Sequence, residues 1–448
     1  AVIAIRTKDV PALGYAQYSI NSNDNSSIPV KNMNHLENEF YTISVAENGS
    51  LTILDKENNI LYKNQAVLVE NGDDGDSFNY SPPRKDMEIF STDSEFKYEI
   101  CGNDLYSKAK IKYLMNIPKN LDERAKGITS TTLPVTLEIG LRKNSKIIDF
   151  NVHVNNNGLS HRLCIIFDSQ ITSKFNYADQ QFGLIKRPNY YEKEMNLYMQ
   201  NRENHTEKKA GIQELANWAN DQSSWQEPPI SIEPTQSYVS LTDKNTGIAV
   251  IPQGVREYEI LDDRRIRLTL FRTYGFMGKE NLIYRPGRAS GERIIETPDA
   301  QLLKTMDFSF GFMTYNSDIN DSNVDVLAKS YNTPIQVYTY AEFLNGRLIF
   351  SQREIQGTKP STVSLFETEN KLVVSAIKKA EDGDGLIIRL YNGKDHKNVG
   401  DTLKFHYDIS QAYYTNLKEE KTEAIEICNN TIKVKELSHC KFVTIYVN

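Results

Sequence analysis

Seven histidines are spread along this 448-residue chain, and no two of them stand at helical spacing. The sequence therefore offers no ready-made set of convergent nitrogen ligands for a metal. Acid–base work on a polyol would need a His/Glu or Tyr/His constellation. The one pairing the pattern suggests is His153 with Glu138, on neighbouring strands. A strand histidine is more often satisfied by its neighbours or turned to solvent, and that is the plainer reading of His153. Arg285 and Arg288 flank Pro286-Gly287 in YRPGRASGE. Two guanidiniums beside a turn either fork onto hydroxyls or a carboxylate, or pair with Glu292 or Glu296 and pin a loop. In GDSFNYSP, Asp76 either accepts hydrogen bonds from ligand hydroxyls or caps its own turn. Tyr80, in the same run, reads on its own as an ordinary sandwich-edge aromatic. Arg187 in QFGLIKRP reads as structural, and Lys378, Lys379 and Arg389 read as determinants of fold or interface.

The elements that must hold these side chains are strands. Alternating runs at 40–45, 50–54 and 60–63 form a meander broken by ENG and DKENN. Runs at 135–141 and 147–154 flank RKNS, and four more lie between 237 and 271 with DKNTG, PQG and DDR as turns. Residues 370–392 read as a hairpin: Leu372–Val374, a turn from Glu381 to Gly385, then an alternating strand from Leu386 to Tyr391. With 25 Tyr and 18 Phe, the chain is rich in residues that suit half-buried pleated faces. Only 191–220 and 318–328 look helical; the first is polar throughout and reads as an exposed insertion. Asn332-Thr333-Pro334 marks the best boundary. The expected fold is all-β: leading strands of a small unit at 1–34, a large antiparallel super-sandwich of the galactose mutarotase type at 35–332, and a smaller sandwich at 333–448.

Composition narrows the function classes. Lys+Arg number 52 against 59 Asp+Glu, a net charge of −7 mixed along the chain. Nucleic acid, which demands a basic face, is not an expected partner. No apolar run is long enough to span a membrane. The first residues lack the basic and apolar regions of a signal peptide and read like a strand entered in mid-protein. Cys428 and Cys440 could form a disulfide, but four isolated buried thiols of a cytoplasmic protein is the preferred reading. A homo-oligomer is compatible with the sequence and is not fixed by it.

The hairpin NKLVVSAIKKAEDGDGLIIRLYN (370–392) resembles the C-terminal β-region of glycoside hydrolase family 38, the retaining α-mannosidases. Further segments resemble the same family in the same order: VPALGYAQYSI (10–20), ENGSLTILDKENNILYKN (47–64), DDGDSFNYSPP (73–83), QFGLIKRPN (181–189) and WQEPPISIEPTQSYVSLTD (225–243). TLFRTYGFMGKENLIYRPGRASGERIIETPDAQL (269–302) resembles the bacterial branch that includes mannosylglycerate hydrolases. The resemblance implies an α-mannoside substrate and chemistry in an N-terminal barrel. There, zinc held by two His and two Asp works with a second carboxylate. No HHDA run occurs here, so neither zinc nor nucleophile is expected in this chain, and its partners would be the family's own catalytic barrel and helical domain. The resemblance implies that Tyr80 matches a tyrosine contacting bound mannose, with Asp76, Arg285 and Arg288 as further rim candidates. Two other readings compete: a free-standing carbohydrate-binding module, for which Trp218 and Trp225 lie close together, and an aldose-epimerase-like enzyme built on His153 and Glu138.

Overall fold

The computed structural model describes residues 7, 10–18, 29–205, 227–285, 294–338, 361–395 and 397–448, with 201–205 as backbone only. It divides into two compact units. One comprises Ile28–Gln180 with Ile185–Ser322; the other gathers Ala1–Ser27, Gln181–Leu184 and Asn323–Asn448.

In the larger unit a ten-stranded sheet includes, in neighbour order, Thr305–Tyr315, Ile148–Asn155, Thr131–Arg142, Tyr106–Ile117 and Glu95–Gly102. A six-stranded sheet runs Ile232–Pro234, Glu257–Leu261, Arg265–Arg272, His161–Asp168, Val67–Gly72 and Ile89–Phe90, and a four-stranded meander covers Leu36–Gln65. Period-two patterning sets these faces. In Tyr106–Ile117 the buried residues are Ser107, Ala109, Ile111, Tyr113, Met115 and Ile117, while the alternate residues include Lys108, Lys110 and Lys112. One apolar cluster fills the space between the sheets, as expected of a face-to-face sandwich. At its centre Phe310 lies 5.3 Å from Phe150 and 6.0 Å from Phe167, centroid to centroid.

His161–Asp168 reads HRLCIIFD and is buried on both faces. Leu163, Ile165 and Phe167 enter the main core. Cys164 and Ile166 face the other way into a small cluster with Val69, Phe90 and Leu261. Arg162 shares that second face by strand alternation, so charged groups come to lie over a sheet rather than in water.

The smaller unit is a sandwich with its own core. Its five-stranded sheet runs Val373–Lys379, Leu386–Tyr391, Phe442–Val447, Ala412–Thr415 and Lys421–Ala424. Its four-stranded sheet runs Phe366–Thr368, Val399–Phe405, Thr431–Leu437 and Ile427–Cys428. The hairpin read from sequence is present, with Lys379 opposite Leu386 and Val373 opposite Tyr391. Gly14–Ala16 pairs with Thr362–Ser364. A Cβ on Gly14 would fall 1.7 Å from the Val363 carbonyl oxygen, so only glycine fits there.

Sequence expectations differ from the structure at the unit boundaries and in the cysteines. Residues 1–34 are not a unit: Gly14–Ala16 belongs with the C-terminal sandwich, whereas Lys31–Asn32 edges the large sheet. The second unit starts at Asn323 rather than 333, because the helix sits at Val324–Tyr331 and packs with the C-terminal sandwich; its first residue and Ala328 are buried. The polar helix spans Glu192–His205, and 206–220 lies outside the described residues. Nor are all four free cysteines buried: Cys428 and Cys440 are exposed.

Replacing Phe310 with Ala should destabilise the larger unit by about 3–5 kcal/mol, because it removes a fully buried ring and leaves a cavity. Urea unfolding monitored for that unit checks it, with the midpoint falling and the slope unchanged.

Candidate functional site

The loop 73–83 leaves the end of Val67–Gly72 and is held by charges taken out of water. Asp73 is fully buried and receives a two-pronged bond from Arg272, Nε to Oδ2 at 2.6 Å and Nη2 to Oδ1 at 3.1 Å. The same Nη2 also reaches the carbonyl oxygens of Asp76 and Asn79, at 3.0 and 2.8 Å. Asp76 is equally buried. Its Oδ1 accepts from the backbone N–H groups of Phe78 and Asn79, and its Oδ2 accepts from Lys279 N at 2.8 Å and pairs with Arg285. Arg285 further donates to Asn79 Oδ1 and to the Lys279 carbonyl. Lys279 in turn pairs with Asp74. Burial pushes the Asp76 carboxyl up, but Arg285 and the backbone N–H donors outweigh it and leave it below the ordinary aspartate value.

This geometry decides between the alternatives open in the sequence. Asp76 caps its turn and anchors Arg285, so its oxygens are spent inside the loop. Arg285 is buried against Asp76, not against Glu296, whose neighbourhood is bridged by backbone to Phe276. Arg288 and Glu292 lie outside the described residues. Tyr80 is 7% exposed, and its hydroxyl accepts from Asn71 Nδ2 at 3.0 Å. The Arg162 guanidinium lies 3.9 Å over its ring, Tyr284 meets it edge-on, and burial pushes its phenol up. The aromatic that the loop does present is Phe78, 59% exposed. Sequence reasoning passed over it because hydrogen-bonding capacity, not exposure, guided the choice; Phe78 stands two residues from buried Asp76 and from buried Tyr80, so period-two patterning, which an irregular loop does not obey, would have placed it on their face.

Other candidates fall into structural roles. Arg187 bonds Glu233, the Pro234 carbonyl and Tyr258 Oη, tying two sheets' edges. His153 does approach Glu138, at 3.6 Å, but it also bonds Asp307, while Lys108 and Lys110 hold the same carboxylate. These partly exposed groups form a surface ion-pair ladder. A second His/Glu pair was not foreseen: His161 Nδ1 stands 3.1 Å from Glu70 Oε1, its Nε2 is 2.8 Å from Asn156 Oδ1, and Arg124 pairs with Glu70. All these side chains are sealed from solvent, so the pair cannot touch a substrate in this conformation. The chain does hold one His-x-Asp triplet, His406-Tyr407-Asp408. There His406 pairs with Glu367 and Asp408 accepts from Asn430, so the two side chains are held by separate partners. Among the described residues no three His, Cys, Asp or Glu side chains converge to hold a metal, so zinc has no fitting site there. No described helix is long and apolar enough to cross a membrane. Trp218 and Trp225 lie outside the described residues.

The family model for the glycosyl hydrolases family 38 C-terminal domain matches residues 36–276, and the model for the C-terminal β-sandwich domain of the same family matches 371–444. The chain belongs to glycoside hydrolase family 38, as its C-terminal β-region. It is 24% identical over 421 residues to a Halalkalibacterium halodurans protein provisionally named mannosylglycerate hydrolase, covering 90% of this chain and 40% of that protein. Two Enterococcus faecalis crystal structures share the fold at 21% identity. One is a protein of glycosyl hydrolase family 38 (TM-score 0.70, 92% of this chain, 44% of that one), and the other is an α-mannosidase (TM-score 0.71, 92% and 42%). The chain thus spans less than half the length of each of these relatives.

The depressed Asp76 value fixes a pH dependence. Its bond to Arg285 contributes in full above the unfolded aspartate value of 3.8 and is lost as pH falls below it, through the lower folded value. Amide protection at Phe78, Asn79 and Lys279 should weaken over that acid range, and Asp76→Asn should lose this dependence. Removing Arg272 (Arg272→Met) leaves Asp73 buried and unpaired and should cost about 3–5 kcal/mol in urea unfolding.

Proposed function

We propose that this chain is the non-catalytic C-terminal β-region of a retaining, zinc-dependent α-mannosidase, and that it completes the rim of a sugar site built by a catalytic barrel outside this chain. The observation that carries the reading is a set of exposed apolar side chains on the clamped loops. Phe78, Met277, Ile283, Ile294 and Ile295 are all 40% exposed or more. Their loops are stitched together by backbone bonds from Ser77 to Phe276 and from Met277 to Ile295. Apolar side chains grouped on a rigid loop edge mark an interaction surface. In this reading the isoleucines and Met277 dock the catalytic half, while Phe78 lays its ring on the C–H face of a bound mannoside.

The residues of this chain act by position. Arg272 and Arg285 fix the loop backbone through Asp73 and Asp76, so Phe78 meets the sugar without an ordering cost. In this reading the catalytic barrel would hold the zinc and supply the two carboxylates that retaining hydrolysis needs, and the described residues of this chain would ligate no metal. The name of the H. halodurans relative supports an aglycone such as glycerate, held in part by Arg288; another mannose or a phosphorylated sugar is the competing choice.

An aryl α-mannoside assay, with zinc and then with chelator, tests the proposal. No turnover is expected from the 448-residue chain, and chelator-sensitive turnover is expected from a longer chain that adds the N-terminal half of its relatives. Turnover by the shorter chain alone would overturn the reading.

A further inference from the structure

The C-terminal sandwich carries a groove of about 610 Å³ that the rim reading does not use. It is walled by Asn416, Leu417, Lys418 and Glu420 on one side and by Lys435 and Phe442 on the other. It is an open surface groove rather than an enclosed cavity, so a ligand lying in it would stay partly in water.

The walls are built rather than loose. Asn416 Oδ1 accepts from the backbone N–H groups of Lys418 and Glu420, and Asn416 Nδ2 donates to Glu420 Oε2 at 2.6 Å, which fixes the turn. Opposite, Lys435 N donates to Tyr414 Oη at 2.8 Å, and its ammonium lies 4.1 Å from that ring's centroid and 3.2 Å from Glu423. Thr422 Oγ1 bonds the Tyr414 carbonyl and closes the floor. Thr415 Oγ1, beside the groove, is buried without a hydrogen-bond partner among the described residues.

The lining combines apolar surface with neutral polar groups. Leu417 is 63% exposed, and Phe442, whose ring packs on Phe182, is still 39% exposed, so both leave apolar surface in water. Asn416 adds an amide with one N–H left to donate, and Thr422 a hydroxyl that donates to the Tyr414 carbonyl and can still accept. Glu423, just outside the lining, pairs with Lys435 at 3.2 Å, and Lys418 and Glu420 carry opposite charges, so the formal charges along the groove cancel. Apolar contact plus balanced donors and acceptors is the chemistry that suits a neutral polyol. We infer that this groove is a second binding site, for a neutral saccharide, separate from the rim loop 73–83. The groove stands on its own geometry, and only the choice of an α-mannoside as probe rests on the proposed function.

Amide-resolved NMR of the 448-residue chain, titrated with α-mannobiose, tests the inference. Saturable shifts are expected at Asn416–Thr422 and Phe442–Thr444, with affinity falling at least about fivefold, roughly 1 kcal/mol, in Leu417→Ala and Thr422→Val. Both positions are exposed, so both variants should keep the wild-type spectrum elsewhere. Absent shifts in the groove, shifts that the variants leave unchanged, or a stronger response to inorganic phosphate than to mannobiose would each overturn it. A response at loop 73–83 reports on the rim separately, so the two readings can fail independently.

Discussion

A carboxylate taken out of water must be paired, and in this chain that requirement governs the surface with the most to do. Asp73 and Asp76 lie fully buried in a loop that has no regular hydrogen-bond ladder of its own. Two guanidiniums, Arg272 and Arg285, replace the missing ladder, bonding both carboxylates and the carbonyl oxygens around them. Breaking one such pair leaves a buried charge, which is far more costly than losing a surface ion pair. The loop is therefore stiff for an electrostatic reason. Everything it displays, Phe78 above all, is held by charges that never reach the surface themselves.

The same rule runs through the outer face of the six-stranded sheet. Arg162 and Arg267 both donate to Asn71 Oδ1, Arg162 covers the Tyr80 ring, and Glu259 takes a bond from each arginine. Strand alternation puts these residues on the face opposite the main core. Segment 80–90 and Tyr284 then shield them, which is why a tyrosine that looks like a ligand contact in sequence is a packing element in three dimensions. The C-terminal sandwich follows the rule on a smaller scale. Buried Asp401 beside its apolar core accepts from the backbone N–H groups of Glu369, Lys371 and Leu372, while Lys421 and Lys435 lie over the rings of Tyr413, Tyr446 and Tyr414.

Much of the fold was legible because period-two patterning and turn chemistry are local. The meander at 40–63, the pair at 135–154 and the hairpin ending in Leu386–Tyr391 could be read from a handful of residues each. The family was legible too, from runs of residues in a fixed order. Pairing at a distance was not. Nothing in VPALGYA says that Gly14–Ala16 joins Thr362–Ser364, and nothing around Ala328 says that its helix packs with the later unit. The site was half legible for the same reason. GDSFNYSP and the arginine of LIYRPGR were singled out, yet their roles depend on Asp76 meeting Arg285 across more than two hundred residues. His161 and Glu70 escaped notice because each sits in a strand that otherwise reads as apolar.

The central claim is that the loop shows a sugar Phe78 and keeps Tyr80 for its own packing. Steady-state kinetics of Phe78→Ala and Tyr80→Phe in the longer, active protein test it most directly. The account predicts that Phe78→Ala raises KM for an aryl α-mannoside while folding normally. It predicts that Tyr80→Phe leaves KM unchanged and lowers only stability, since its hydroxyl is bonded to Asn71. A raised KM in Tyr80→Phe with a silent Phe78→Ala would contradict it and return the sugar contact to the phenol.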